Sequence, residues 1–327
     1  MIDLKLLLTT YSSAFLTSGG GESEMVQVAE MLVQAGCKAD IYGVNSRPLG
    51  FYDAVMHFSV EPDGISVLRI ARAQHKKVFL WPNVWWVVPP SGLEILRVME
   101  LVNLADCLLF KSDSEMTHFR GYIDLPPARC RVVPTGVSDR FLKAPDGALV
   151  RTVCDLEDYV LCVGLIEPTK NQLELVRALR DVDVDLLFVG GHRDYYYFQQ
   201  CIKEANDRTR FLPFLQPCAE LLRSALGNAV LLAEPSFDPP GRSCLEGALM
   251  RKPLVMLDTS WAREHLLAGP YYAEHATAKE LSFAIQFALS AADKAERVQS
   301  TFEHVKAKHS ALASTDVLIK VLVKELL

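Results

Sequence analysis

Short apolar runs alternate with amphipathic stretches along the whole of this 327-residue chain. Aliphatic runs of about four to eight residues suit strands buried on both faces, and the stretches between them repeat apolar positions at helical spacing. The pattern predicts strands over 4–9, 38–44, 54–60, 77–81, 107–110 and 130–133. Helices are expected over roughly 23–35, 63–74, 92–105 and 113–122. A second series opens at Tyr159-Val-Leu-Cys-Val-Gly164 and continues with strands near 185–189, 210–213, 229–233, 254–257 and 271–273. Strands and helices that alternate in this way build parallel sheets covered by helices.

The fold class is therefore α/β, with two Rossmann-like parallel-sheet domains. The first is expected over 1–142 and the second over 158–312, with a linker over 143–157 that carries Lys143-Ala-Pro-Asp-Gly147. Residues 313–327 are unusually apolar for a terminal helix (Val317, Leu318, Ile319, Val321, Leu322 and Val323), so they are expected to pack back on the first domain. Two such halves imply a cleft, with ligands bound outside the carboxyl ends of the strands.

Composition narrows the class. Half the residues are hydrophobic and 23% are charged, which suits a folded protein and not a disordered one. A formal net charge of −6 argues against nucleic acid as the main partner. The eight cysteines include no CxxC pair and several lie in apolar runs, the pattern of buried free thiols in a reducing compartment. The opening Met1-Ile-Asp-Leu-Lys-Leu-Leu-Leu8 is too short and too soon charged for a signal peptide, and no run approaches the ~20 apolar residues of a membrane span. A cytoplasmic location is expected.

The chemistry concentrates in Glu234-Pro-Ser-Phe-Asp-Pro-Pro-Gly-Arg-Ser-Cys-Leu-Glu-Gly-Ala-Leu-Met250. The chain leaves a buried strand at Pro and Gly and restarts as a helix, whose first amides and dipole favour an anion such as phosphate. Glu246, one turn inside that helix, repels an anion but can accept hydrogen bonds from sugar or ribose hydroxyls. Asp238 lies before the turn of Pro239, Pro240 and Gly241. In Val163-Gly-Leu-Ile-Glu-Pro-Thr-Lys-Asn171, Gly164 lets the chain turn at a strand end and Lys170 stands near a helix start, where it can neutralise a diphosphate. Alone, Lys170 reads equally well as a surface lysine near a turn.

The ordered set Gly164…Lys170-Asn171, Val189-Gly-Gly191, Pro235-Ser236, Asp238…Glu246 and Lys252-Pro253-Leu254-Val255 resembles the retaining glycosyltransferases of family 4. Gly19-Gly20-Gly21-Glu22 and Val132-Val-Pro-Thr-Gly-Val-Ser-Asp-Arg-Phe141 are similar to that family's acceptor-side loop and to the segment that closes its first domain. The resemblance implies the GT-B fold, with two Rossmann-like domains facing across a cleft. It implies a nucleoside diphosphate sugar as donor and a glycan or lipid-linked acceptor, with neither metal nor other cofactor. By the same resemblance Glu246 binds the ribose hydroxyls, Asp238 contacts the transferred sugar and Lys170 holds the phosphates. Amides from Gly241 through Arg242 and Ser243 to Cys244 receive the distal phosphate and sugar, Gly20 and Gly21 approach the phosphate from the first domain, and the base lies near Pro213-Phe214-Leu215. A lipid-linked acceptor would bring the protein into peripheral contact with the inner face of a membrane.

Three positions depart from the family pattern. The first carboxylate is Asp238 where glutamate is usual, Leu165 replaces a phosphate-binding arginine, and Trp81-Pro82-Asn83 stands where a histidine is common. Arg242 is a candidate to supply the missing charge, and Asn83 to hydrogen-bond a sugar. These departures keep a second reading open, a non-catalytic GT-B scaffold with a decayed donor site. An NAD-type Rossmann enzyme is disfavoured, because Thr17-Ser-Gly-Gly-Gly-Glu22 lacks the GxGxxG spacing. Asp181-Val-Asp-Val-Asp185 mimics a metal-binding DxD but falls at the amino end of its strand, the wrong edge for a ligand. Histidine and cysteine show no ligand spacing, so no structural metal is expected. Trp85 within Val84-Trp-Trp-Val-Val-Pro-Pro90 is either a stacking surface for an acceptor sugar or packing beneath the next helix. His57 is expected as a satisfied core residue, and His192 as a loop histidine.

Overall fold

The computed structural model describes residues 4–16, 19–239 and 241–326. The chain forms two compact units, Met1–Gly136 with Ala311–Leu327, and Val137–Ser310.

The first unit runs β1 (Lys5–Thr9), α1 (Gly20–Gln34), β2 (Lys38–Ile41), β3 (Ala54–Phe58), α2 (Ile65–Ala73), β4 (Lys77–Trp81), α3 (Gly92–Leu104), β5 (Cys107–Phe110), α4 (Asp113–Arg120) and β6 (Cys130–Val132). The strands pair in the order β2-β1-β3-β4-β5-β6, every pair parallel. Alternate side chains feed two cores: Leu6 and Leu8 join Met56 and Phe79 on one face, and Leu7 joins Val55 and Leu80 on the other. Helix starts follow the capping chemistry of the sequence. Ser91 Oγ accepts from Glu94 N at 3.2 Å, and Ser112 Oγ accepts from Glu115 N at 2.9 Å, each an S-x-x-E box.

The second unit runs α5 (Leu149–Cys154), β7 (Tyr159–Val163), α6 (Gln172–Leu179), β8 (Asp185–Val189), α7 (Tyr195–Glu204), β9 (Thr209–Leu212), α8 (Glu220–Asn228), β10 (Leu231–Glu234), α9 (Ser243–Leu249), β11 (Leu254–Leu257), α10 (Ser260–Leu266), β12 (Tyr271–Ala273), α11 (Ala278–Ser290) and α12 (Lys294–His309). Its parallel strands pair in the order β12-β11-β10-β7-β8-β9. Each strand expected from the apolar pattern is present, with ends shifted by a residue or more in several. The eight cysteines are free thiols, and six of them are buried.

The stretch 143–157 is not a plain linker. It contains α5, whose Val150 is buried in one core with Leu222 and Leu226 and whose Val150 N donates to Ser224 Oγ at 3.1 Å. The charged residues of this stretch hide a single inward-turned face, and that face ties it to the second unit.

The last helix, α13 (Ala311–Leu326), belongs to the first unit. Leu318 and Leu322 are fully buried with Leu6, Leu8 and Leu32, and Ser314 Oγ donates to Pro134 O at 2.5 Å. Leu318→Ala is expected to lower the unfolding free energy by about 2–5 kcal/mol, the range for a leucine deleted from a packed core. Denaturant unfolding of the full chain reads this directly. A loss under about 1 kcal/mol would mean that α13 adds little to the core of this unit.

Candidate active site at the second sheet's carboxyl edge

In the second sheet the chain builds outward from β7 to β8 and β9, then returns to the other side of β7 to build β10, β11 and β12. At such a reversal the connections after β7 and β10 leave in opposite directions, and a crevice opens at their carboxyl ends. The expected donor residues of the second unit lie in those two connections.

The connection after β7 turns at Gly164, whose φ of 149° L side chains rarely adopt. Gly164 N donates to Val189 O at 3.0 Å and Ile166 N to Gly191 O at 2.8 Å. A Cβ on Gly190 would run into the Gly164 carbonyl oxygen, so the close approach of these two backbones needs glycine at 190. A 3-10 turn over Pro168–Lys170 follows, closed by Asn171 in the left-handed region at φ 58°. Asn171 Nδ2 donates to Ala276 O at 3.0 Å, which fixes the turn. Phe237 N donates to Thr169 O at 2.9 Å and ties this turn to the connection after β10.

The tie sets Lys170 Nζ 3.0 Å from Asp238 Oδ1 and 3.2 Å from the carbonyl oxygen of Pro239. Ser236 Oγ donates to the same Asp238 oxygen at 2.6 Å. Two residues 68 positions apart, 238 − 170, thus meet as a partly buried ion pair. Gly241 is exposed, Arg242 stands at the N-cap position of α9 without a side-chain cap bond, and Pro240 lies outside the described residues. Ser243 Oγ donates to Val163 O at 3.2 Å, locking the head of α9 to the end of β7. The Cys244 side chain is in the core with its Sγ on Gly241 O at 3.3 Å, so only its backbone is open to a ligand role.

Two carboxyls lie in this crevice out of water. Glu246 is 5% exposed, and burial raises its pKa against the pull of Arg242. Glu234, the last residue of β10, is 6% exposed, and burial pushes its pKa up to about 8. Ser243 and Lys170 oppose that shift while Glu246 and Asp238 add to it. Glu234 Oε1 has no hydrogen-bond partner. No role for Glu234 follows from the reading of the sequence. The available signal is a lone glutamate that ends an apolar strand at its carboxyl edge.

The remaining expected residues belong to the first unit. Gly20 and Gly21 open α1 with exposed backbones, and a Cβ on either would meet nothing within 4 Å. Packing therefore does not require glycine there. Asn83 follows β4 in the left-handed region at φ 52°, with its Oδ1 buried and unpartnered. Trp85 is half-buried, and its ring stacks on His118 at 4.0 Å between centroids, while Trp86 is buried against Phe119 and donates Nε1–H to Glu94 at 2.6 Å. The tryptophan run therefore packs against α3 and α4. His57 is only half satisfied: Nδ1 pairs with Thr9 Oγ1 at 2.8 Å, Nε2 has no partner, and burial lowers its pKa to about 4.

Elsewhere in the second unit, His192 stacks on Phe198 and Pro213-Phe214-Leu215 follows β9. Asp183 of the DxD-like run is exposed and ion-paired with Arg208. Among the described residues, no cluster of three or more His, Cys, Asp or Glu side chains could hold a metal ion. Among the same residues no helix is long and apolar enough to cross a membrane.

No protein-family model and no curated protein matches this sequence. Solved structures do match. HepE from Anabaena in complex with UDP-glucose superposes with a TM-score of 0.80 at 17% identity, covering 98% of this chain and 100% of that one. Sucrose-phosphate synthase from Thermosynechococcus elongatus gives 0.78 at 16% identity, covering 98% of each chain. AviGT4, a glycosyltransferase involved in avilamycin A biosynthesis, gives 0.63 at 15% identity, covering 99% of this chain and 98% of that one. These neighbours are GT-B glycosyltransferases, and the chain shares their fold, two Rossmann-like parallel-sheet domains.

The turn that presents Lys170 depends on the paired glycines. Gly190→Ala is expected to cost about 2–4 kcal/mol, because backbone and not a flexible side chain blocks the added methyl. Thermal unfolding checks this. A melting temperature equal to that of the parent would show that the two loops can separate freely.

Proposed function

We propose that the protein is a retaining glycosyltransferase of the family 4 type, which moves a sugar from a nucleoside diphosphate sugar to a hydroxyl of a glycan or lipid-linked acceptor. The observation that carries this reading is the Lys170–Asp238 pair at the β7–β10 reversal, with Glu246 buried in the helix α9 that follows β10. The fold shared with HepE, whose structures hold UDP-glucose, supports a nucleotide sugar as donor.

Breaking the anomeric C–O bond throws negative charge onto the leaving diphosphate. An ammonium group already fixed at that place stabilises the charge without reorganising. Lys170 carries this role, with Arg242 and the first-turn amides of α9 beside it, and no metal ion is required. The acceptor oxygen bonds to the anomeric carbon on the face the phosphate leaves. The bonding pair departs on the phosphate oxygen, and that oxygen takes the acceptor's proton. Asp238 holds the transferred sugar by its hydroxyls and Glu246 holds the ribose, so neither carboxylate has to form a covalent intermediate.

Transfer assays over a panel of UDP- and GDP-sugars test this. Lys170→Ala and Glu246→Ala should each cut turnover by about a hundredfold or more while far-ultraviolet circular dichroism stays that of the parent. Parent-like turnover in both variants would remove the assignment. A scaffold with a decayed donor site is the second reading. It is favoured by Leu165 in place of a cation and by the excess of carboxyls around Lys170. Calorimetric titration with UDP and GDP separates the two, since a scaffold binds neither.

A further inference from the structure

The reversal of strand order between β1 and β3 gives the first unit a crevice of its own, which the scheme above leaves unused. A pocket of about 360 Å³ opens there. Ligand pockets run from roughly 300 to 1,000 Å³, so this one suits a single ring better than a long chain. Leu8 of β1, Ile41 of β2 and Met25 of α1 form its apolar part, and the exposed rings of Phe15 and Tyr42 also line it. Asn83 and Trp85, the candidate sugar contacts of this unit, are not among its lining residues.

The polar part is built to accept hydrogen bonds. Asp63 enters from the turn over Pro62–Gly64 that follows β3. Ser12 N donates to its Oδ2 at 2.7 Å, and Ser12 Oγ donates to the same oxygen. A carboxylate has about four lone-pair sites, so these two bonds leave others for a ligand. Thr10 Oγ1 donates to Phe58 O at 2.7 Å, Ser66 Oγ donates to Asp63 O at 3.3 Å, and the Tyr11 hydroxyl donates to Glu22. A hydroxyl has one proton, so what each of these groups has left for a ligand is lone pairs.

Charge selects in the same direction. Burial raises the Asp63 carboxyl, but the bonds from Ser12 outweigh it and hold the group below its usual range, so it is ionised at pH 7. His57 ties the two sides of the pocket together: Nδ1 meets Thr9 Oγ1 at 2.8 Å, and a Cβ on Gly64 would come within 2.3 Å of Nε2. Burial lowers its pKa to about 4, so this imidazole is neutral at pH 7. The lining residues include no lysine or arginine to offset Asp63. An anion brought here meets a carboxylate and lone pairs with no cation, whereas a neutral ring donates its hydroxyls to the same atoms.

We propose that this pocket seats one uncharged sugar ring of the acceptor, whose hydroxyls donate to Asp63 while its apolar face rests on Leu8, Met25 and Ile41. A ring that carries a carboxylate or phosphate is excluded. The role as acceptor subsite rests on the reading given under Proposed function, and the preference for a neutral ring rests on the pocket alone.

Ligand-observed saturation-transfer NMR on the full chain at pH 7 tests the preference. The probes are the methyl glycosides of glucose, galactose and mannose, each beside its own uronate. At least one glycoside should bind about tenfold or more tightly than its uronate, the size of one hydrogen bond to a charged acceptor. Asp63→Asn, which keeps the shape and removes the charge, should weaken that glycoside about fivefold. Asp63→Lys should reverse the order, so that the uronate binds more tightly. The parent's own preference needs no variant, so a variant that misfolds leaves the test intact. A uronate bound by the parent as tightly as its glycoside, glycoside affinity unchanged in both variants, or no glycoside bound at all overturns the proposal. No nucleotide is present, so these failures are separate from loss of the donor reading, which shows as absence of UDP and GDP binding. Glycoside binding without UDP or GDP binding overturns the acceptor role and leaves a neutral-sugar subsite.

Discussion

A single ammonium group held among carboxyls organises this molecule's chemistry. Lys170 Nζ lies 3.0 Å from Asp238 and 3.2 Å from the Pro239 carbonyl, with Glu234 and Glu246 buried nearby. An ammonium has three protons, so these two contacts leave one donor direction for a phosphate oxygen. The pair is less than a quarter exposed, which makes its attraction stronger than that of a surface ion pair. The neighbourhood is nonetheless acidic for an anion site, and burial raises the pKa of both Glu234 and Glu246, which favours their neutral forms.

The fold explains why the ammonium is there at all. Strands of a parallel sheet expose their loops in one direction, and only a reversal of strand order separates two adjacent loops enough to admit a ligand. In the second unit that reversal brings Lys170 and Asp238 together. The first unit has its own reversal, between β1 and β3, with different chemistry. A pocket of about 360 Å³ there is lined by Thr9, Thr10, Ser12 and Asp63 together with apolar side chains such as Leu8, Met25 and Ile41, with no lysine or arginine among its lining residues. One architecture used twice thus yields a crevice with a lysine held among carboxyls and one with neither lysine nor arginine.

Much of this was legible in the residues. Strands covered on both faces are uniformly apolar, which is why Tyr159–Val163 and Leu254–Leu257 stand out in the sequence, and S-x-x-E boxes mark the starts of α3 and α4. That Lys170 and Asp238 share a sheet edge followed from placing each after a strand of one parallel sheet, whereas their ion pair did not. Helix α5 was hidden because six residues are too few for a helical period to emerge among charges. The burial of Glu234 was hidden for another reason: it depends on chain packed over the end of β10, which strand pattern alone does not specify. Trp85 carried two readings until His118, from a helix distant in sequence, stacked on its ring.

Crystals soaked with a nucleoside diphosphate test the central claim most directly. Difference density should place a phosphate oxygen within hydrogen-bond distance of Lys170 Nζ, at the carboxyl ends of β7 and β10. A nucleotide bound elsewhere, with the Lys170 ammonium still closed on Asp238 and the Pro239 carbonyl, would contradict the account.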